Sequence, residues 1–356
     1  MDRIPVLKPK LPTAPSVVSY LASMDLSGIY SNHGPLVRQL EQKYSLFCNV
    51  SPDNVVCLAN ATLGIQAAIE LIEFDSWIVP DFTFAATGTA VANSKKNLLL
   101  SDVSQTDWIL DANSLSLNYR ESAGIIPVMP FGAKPDLRIW ESWDAVVIDA
   151  AASLGSGPFD FKSLPDNWVV VFSLHATKVL GAGEGAFLVC GSKLIADKIR
   201  AWINFGFNSD RKSVQRGTNG KMSEISAAYA LASLDLFDQE QKEWSRVQNE
   251  IRKQIVGTSL ENVTTSYSGF NPYWILQLEN SSKLIELQQL LAKHGIESRK
   301  WWPHTISEMP GIKSKKITET KNSINLAGST LGLPKFRDLE TKDIERIAQI
   351  TRNFSS

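Results

Sequence analysis

Cysteine is scarce in this chain. Cys48, Cys57 and Cys190 are odd in number, widely spaced and set among apolar neighbours. That pattern suits reduced thiols rather than a disulfide framework, and nothing in it has the spacing of a zinc site. An excess of either charge is also lacking: 36 Lys and Arg stand against 37 Asp and Glu, a formal net charge of -1, with no basic stripe or like-charge block. The balance argues against nucleic acid or an anionic membrane surface as partner. No apolar run approaches the roughly 20 residues of a membrane span. The opening "MDRIPVLKPKLPTAP" is rich in Pro and Lys and has no apolar leader core. A cytoplasmic protein acting on small molecules is expected, with no metal.

What the sequence does contain is alternation. Short Val- and Ile-rich runs trade places with helix-like stretches: "VVCLAN" with "ATLGIQAAIELIE", "WIVPDFT" with "FAATGTAVANS", then "AVVID" and "WVVVFSL". This predicts an α/β fold, a large domain whose mostly parallel sheet, of the seven-stranded type, lies between helices. Long helices are expected in the stretch from "MSEIS" to "RKQIV", leading out of the large domain. "PYWILQL", "LIELQQLLAKHGI" with its capping Gly, and "ETKDIERIAQITRNF" read as a small α+β domain. The expected division is residues 1–235, with an N-terminal arm, and 236–356.

One lysine interrupts this pattern. In "VVVFSLHATKVLGAGEGAFLVC", Lys178 stands between an apolar run and a glycine-rich turn. A solvated lysine with its stem on apolar neighbours is one reading. A phosphate loop is another, but "GAGEG" lacks the spacing and the Lys-Ser/Thr ending, and its acid repels phosphate. The third is a Schiff-base lysine, a desolvated amine usable as a nucleophile, of the kind that pyridoxal phosphate enzymes need opposite an acid for the pyridine nitrogen. The other parts of such a site are present in order. Asp149 ends a strand in "AVVIDAAAS", where an Asp can equally cap a helix. The segment Asn60-Ala61-Thr62-Leu63 turns from strand into helix, where free amides suit a phosphate or merely an ordinary cap. Phe82 and Phe84 follow a strand and offer either a ring face or core.

Taken together, these segments resemble the DegT/DnrJ/EryC1/StrS family of pyridoxal phosphate-dependent nucleotide-sugar aminotransferases of fold type I, over nearly the whole chain. The resemblance implies that Thr62 and the Leu63 amide contact the cofactor phosphate, that Phe84 stacks on the ring and that Asp149 partners the pyridine nitrogen. "FSLHATKVLGAGEGAF" is similar to the family's lysine stretch, which implies Ser173 on the phosphate and Lys178 as the lysine bound to the cofactor. "RGTNGKM" looks like the segment whose Asn reaches the neighbouring subunit's phosphate, implying Asn219 from the partner subunit and a homodimer. "HGIESRKWWPHTISEMP" resembles the part near the nucleotide-sugar pocket, so Arg299, Trp301 and His304, with His175 of the lysine stretch, are candidate substrate contacts, and tryptophan packing between domains is the other reading of this segment.

Three departures stand out. Ala152 replaces the usual Gln or His near the cofactor's phenolic oxygen, so that hydrogen bond is missing or supplied elsewhere. The turn reads Glu184-Gly185-Ala186, and Thr218 and Lys221 flank the Asn segment where an aromatic and an arginine are usual. Members with a histidine segment like His175-Ala176-Thr177-Lys178 tend to act at C4 of the sugar. The resemblance implies amino transfer from L-glutamate to a keto-sugar nucleotide, foremost dTDP-4-keto-6-deoxy-D-glucose, giving dTDP-4-amino-4,6-dideoxy-D-glucose. Amination at C3, a UDP- or GDP-linked sugar, and a non-catalytic binding protein on the same fold are the alternatives. Sugar dehydratases among the relatives resemble this chain but carry histidine in place of the lysine. A surface polysaccharide such as O-antigen is the family's commonest destination.

Overall fold

The computed structural model describes residues 3–261, 264–265 and 269–355. Its strands are β1 (Val55–Leu58), β2 (Ser76–Pro80), β3 (Asn97–Ser101), β4 (Gly124–Ile125), β5 (Val146–Asp149) and β6 (Trp168–Ser173). They continue with β7 (Ala186–Cys190), β8 (Thr264–Thr265), β9 (Trp274–Gln277), β10 (Lys315–Lys316) and β11 (Thr330–Leu333). The helices are α1 (Ala14–Ser27), α2 (Pro35–Phe47), α3 (Ala61–Leu71), α4 (Ala85–Asn93), α5 (Lys193–Trp202), α6 (Glu224–Asp235), α7 (Phe237–Ile255), α8 (Ser281–Lys293), α9 (Lys321–Ser329) and α10 (Thr341–Ser355).

β-Branched side chains stiff at χ1 favour the extended chain, and burial on both faces explains why these runs are apolar without interruption. In β6 the two faces separate cleanly. Val170 and Phe172 join a core that includes residues of α1, α2 and α6, whereas Val169 and Val171 join one that includes residues of α3, α4 and α5. The large sheet runs in the order β1-β7-β6-β5-β4-β2-β3-β10. All its pairings are parallel except those of β7, which is antiparallel to both β1 and β6. Asp149 and Ser173 are the last residues of adjacent parallel strands, so both reach the carboxyl edge of the sheet, where open α/β sheets bind ligands.

The expected seven-stranded sheet is present as β1-β7-β6-β5-β4-β2-β3, and an eighth, two-residue strand extends its edge. The eighth, β10, pairs with β3 and comes from the second half of the chain. Two exposed lysines carry no hydrophobic periodicity from which to read a strand. Beyond residue 236 the chain also forms a three-stranded antiparallel sheet, β11-β9-β8. Its core takes side chains from α7, α8 and α10, and also Ile4, whose backbone bridges Ile296. The boundary near residue 235 is thus crossed in both directions.

Two local features hold the frame. Gly34 lies where an added Cβ would stand 2.6 Å from the Glu224 carboxyl carbon. That closeness lets the buried Glu224 accept the Leu36 amide at 2.7 Å and the Val37 amide at 3.2 Å, capping α2 with a charge from α6. At the far end of the chain, Gly295 (φ 70°) closes α8 as the sequence predicts, its amide on Ala292 and that of Ile296 on Leu291.

Candidate active site

Asp149 is 6% exposed. One carboxylate oxygen accepts the Thr87 hydroxyl at 2.8 Å and the other the Ala151 amide at 3.2 Å. Burial pushes its pKa up, while Thr87, Ala151 and the positive charge of Lys178 pull it back. No helix follows Asp149 directly, since residues 151 and 152 form a turn. Capping therefore does not account for the acid. Thr87 belongs to α4, whose N-cap is Phe84, so the hydroxyl that holds Asp149 and the exposed Phe84 ring share one turn. Phe82 points the other way and is core, against Trp108, Phe131 and Trp302.

Lys178 follows β6 on a tight turn. The turn is closed by Lys178 N–H to the His175 carbonyl at 2.8 Å, Ala176 N–H to Gly183 at 2.8 Å and Ala182 N–H to Leu174 at 2.7 Å. Gly183 has φ 90°, which accounts for one glycine of the loop. Val179 and Leu180 anchor the turn in the core, and the lysine is half-buried between them and solvent. Its Nζ donates to the Tyr273 hydroxyl at 2.8 Å. Ser173 is buried, and its hydroxyl accepts the His175 amide at 3.2 Å. The His175 ring is held by the Thr177 hydroxyl at 2.8 Å and stands 3.7 Å from Glu184.

At the start of α3, Asn60 is the cap and accepts the Leu63 amide at 3.0 Å. The donor expected to meet a phosphate at Leu63 is already engaged. The Ala61 and Thr62 amides have no hydrogen bond among the described residues, so Thr62 offers both an amide and a hydroxyl. The Ala59 amide donates to Gly220 at 2.8 Å, which brings the exposed Asn219 beside this turn of its own chain. Asn219 accepts from Lys221 at 2.6 Å, and Lys221 lies 4.4 Å over the Phe205 ring, where burial lowers its pKa.

The C-terminal candidates divide. Trp301 packs edge-on against Tyr273 at 5.3 Å, with its indole pressed on Gly332. The exposed Arg299 lies over Trp301 at 5.0 Å. His304 is exposed, 4.0 Å from Glu308, and no contact ties it to the lysine among the described residues. Sequence reasoning missed Thr87, Tyr273 and Lys335. Neither a threonine inside a helix nor a tyrosine or lysine beside a strand carries a local signal of such contacts.

A buried acid at a strand end, small residues at Ala150, Ala151 and Ala152, an exposed ring, free helix-start amides and an amine on a fixed turn fit pyridoxal phosphate. No group of three His, Cys, Asp or Glu among the described residues could hold a metal. No helix among them is long and apolar enough to cross a membrane.

Comparison with known proteins agrees with this geometry. The model of the DegT/DnrJ/EryC1/StrS aminotransferase family matches residues 15–352. The chain is 26% identical over 360 residues to dTDP-4-amino-4,6-dideoxy-D-glucose transaminase of Shigella dysenteriae, covering 98% of both. It superposes on a PLP-dependent aminotransferase of Bacillus cereus ATCC 10987 with a TM-score of 0.89 at 25% identity, over 98% of this chain and 99% of that one. DesI, solved in the presence of its TDP-sugar product, gives 0.85 at 25% identity, over 100% and 93%.

Proposed function

We infer that this chain, which belongs to the DegT/DnrJ/EryC1/StrS aminotransferase family, transfers the amino group of L-glutamate to C4 of dTDP-4-keto-6-deoxy-D-glucose. The products are 2-oxoglutarate and dTDP-4-amino-4,6-dideoxy-D-glucose. The chain is an enzyme of the transferase class, and its cofactor is pyridoxal 5′-phosphate. The observations that carry the reading are Lys178 on its fixed turn after β6 and the buried Asp149 at the end of the adjacent strand β5, whose carboxyl the lysine's charge helps to keep ionised. The names of the Shigella relative and of DesI support a dTDP-linked sugar, and His175 before the lysine supports C4.

When bound, the cofactor supplies a covalent anchor for amino groups and an electron sink. The chain's own residues do the rest. Lys178 Nζ would take the proton from the donor's α carbon and pass it to the cofactor carbon that holds the nitrogen, and in the second half would carry a proton from that carbon to the sugar carbon that receives nitrogen, acting each time as a general base and then a general acid. Asp149 presents a carboxylate, oriented by Thr87, to a protonated ring nitrogen. Thr62 and Ser173 offer hydroxyls to the phosphate at the positive end of α3. Phe84 offers the ring face, and Asn219 is assigned to the neighbouring site of a homodimer.

Purified protein given L-glutamate and a panel of keto-sugar nucleotides tests the reading. Release of 2-oxoglutarate together with a 4-amino product from the dTDP-4-keto sugar is expected. A 3-amino product, or use only of UDP or GDP sugars, replaces the substrate while keeping the reaction. No 2-oxoglutarate with any member of the panel overturns the proposed reaction.

A further inference from the structure

The hydrogen bond recorded for the Lys178 side chain goes to a phenol and not to an acid. Tyr273 stands just ahead of β9, the central strand of the small sheet, so a side chain of the C-terminal half reaches a lysine fixed by the large sheet. Its placement is over-determined. Asn271 accepts the Tyr273 amide at 3.0 Å. Lys335 donates to the Tyr273 carbonyl at 3.1 Å, to Asn271 at 3.3 Å and also to Gln248. Phe131 and Trp301 hold the ring edge-to-face at 5.5 and 5.3 Å. Phe270 is seated on Gly155, whose carbonyl accepts its amide at 3.1 Å. Lys335 is 2% exposed and makes no ion pair among the described residues, so a buried amine is spent on neutral oxygens behind this tyrosine.

Ala152 brings a methyl group where no hydrogen bond can be made, and its carbonyl and Asn271 both crowd Gly132. We propose that Tyr273 is a catalytic residue of the amino transfer, its hydroxyl setting the proton affinity of the Lys178 nitrogen, and that Lys335 is the positioning residue that holds it there. The inference rests on the amino-transfer reading above. With the lysine free, the phenol accepts a hydrogen from Nζ. Once Nζ carries the cofactor it has given up hydrogens, so the phenol turns its own hydrogen inward as a donor. A donor beside the nitrogen or an adjoining oxygen favours the unprotonated form and lowers the proton affinity.

The test is a pH titration of the visible absorbance of protein loaded with pyridoxal phosphate, beside steady-state kinetics. Tyr273→Phe keeps the ring packing and removes the hydroxyl. The titration midpoint is expected to rise by about one pH unit, a tenfold change in proton affinity. The kcat is expected to fall by about 10²-fold, with the KM of the keto sugar little changed. Lys335→Met and, independently, Asn271→Ala, which frees the Tyr273 amide, should shift the midpoint the same way by less. Asp149, Lys335 and Lys178 are the titratable groups nearest this point, with Lys8, Lys10, Glu240 and Arg337 along the small cavity behind the lysine turn. All of them stay in Tyr273→Phe. A midpoint and kcat equal to wild type in that variant overturn the role of Tyr273. Wild-type titration in both Lys335→Met and Asn271→Ala overturns that of Lys335. Wild-type protein that develops no visible band with the cofactor overturns the amino-transfer reading and this inference with it.

Discussion

At Asp149 the chain keeps a carboxylate where burial favours the protonated form. A group whose folded pKa is raised supports the fold below its unfolded value and loses that support as pH rises through the folded one. Cofactor-free Asp149→Asn is therefore expected to melt above wild type at neutral pH, by roughly 1–2 °C per kcal/mol recovered, with the gap closing below about pH 4. The same variant should lose about 10²-fold in turnover, because the amide no longer offers a charge to the ring nitrogen. Thermal melts across pH with a parallel rate assay check both halves, and a wild type as stable as the variant throughout contradicts the burial argument.

Lys335 carries the opposite sign. Burial pushes its pKa down to about 7. Between that value and the ordinary lysine range the unfolded chain binds a proton that the folded chain does not, so stability rises with pH. Relative to Lys335→Met, wild type should gain about 2 kcal/mol between pH 7 and 9, read from denaturant melts. A pH-independent difference counts against the neutral, buried lysine.

At the scale of elements, the strands that carry the site were legible because each is an apolar run between turn residues, and their ends place Asp149 and Ser173. The lysine turn was legible too, since a lone cation between interior segments raises a question that few chemistries answer. Contacts made between distant segments were not. Thr87 reads as one more small residue in "FAATGTAVANS", and only the tertiary approach of α4 to the end of β5 brings it to Asp149. Tyr273 reads as the edge of a strand, and β10 as two lysines in a loop. At Asn60-Ala61-Thr62-Leu63 the sequence allows a phosphate turn or an ordinary cap, and in the structure the Leu63 amide is taken by Asn60 as cap.

The seat of the Tyr273 segment provides an element-scale prediction. A Cβ on Gly155 would lie 1.9 Å from the Phe270 carbonyl oxygen, a backbone atom with no room to yield. Gly155→Ala should cost about 1–3 kcal/mol of stability. It should also shift the cofactor titration in the direction of Tyr273→Phe, whereas an unchanged titration separates the seat from the tyrosine.

For the whole molecule, the balanced charge suits a small-molecule enzyme whose site lies at the carboxyl edge of a sheet. Assembly is tested by complementation. Lys178→Ala and Asn219→Ala, each with little activity alone, should regain activity when co-refolded if Asn219 serves the neighbouring site, since one mixed site then holds both native residues. Gly220 docks on the chain's own β1 side, so absence of rescue assigns Asn219 to its own subunit.

The most direct test of the central claim is the visible absorbance of wild type and Lys178→Ala with pyridoxal phosphate, before and after L-glutamate. Amino transfer through Lys178 predicts a band in wild type that glutamate bleaches to the amine form of the cofactor, and no such lysine-bound band in the variant. A wild-type band that glutamate leaves untouched, or a variant that behaves as wild type, contradicts it.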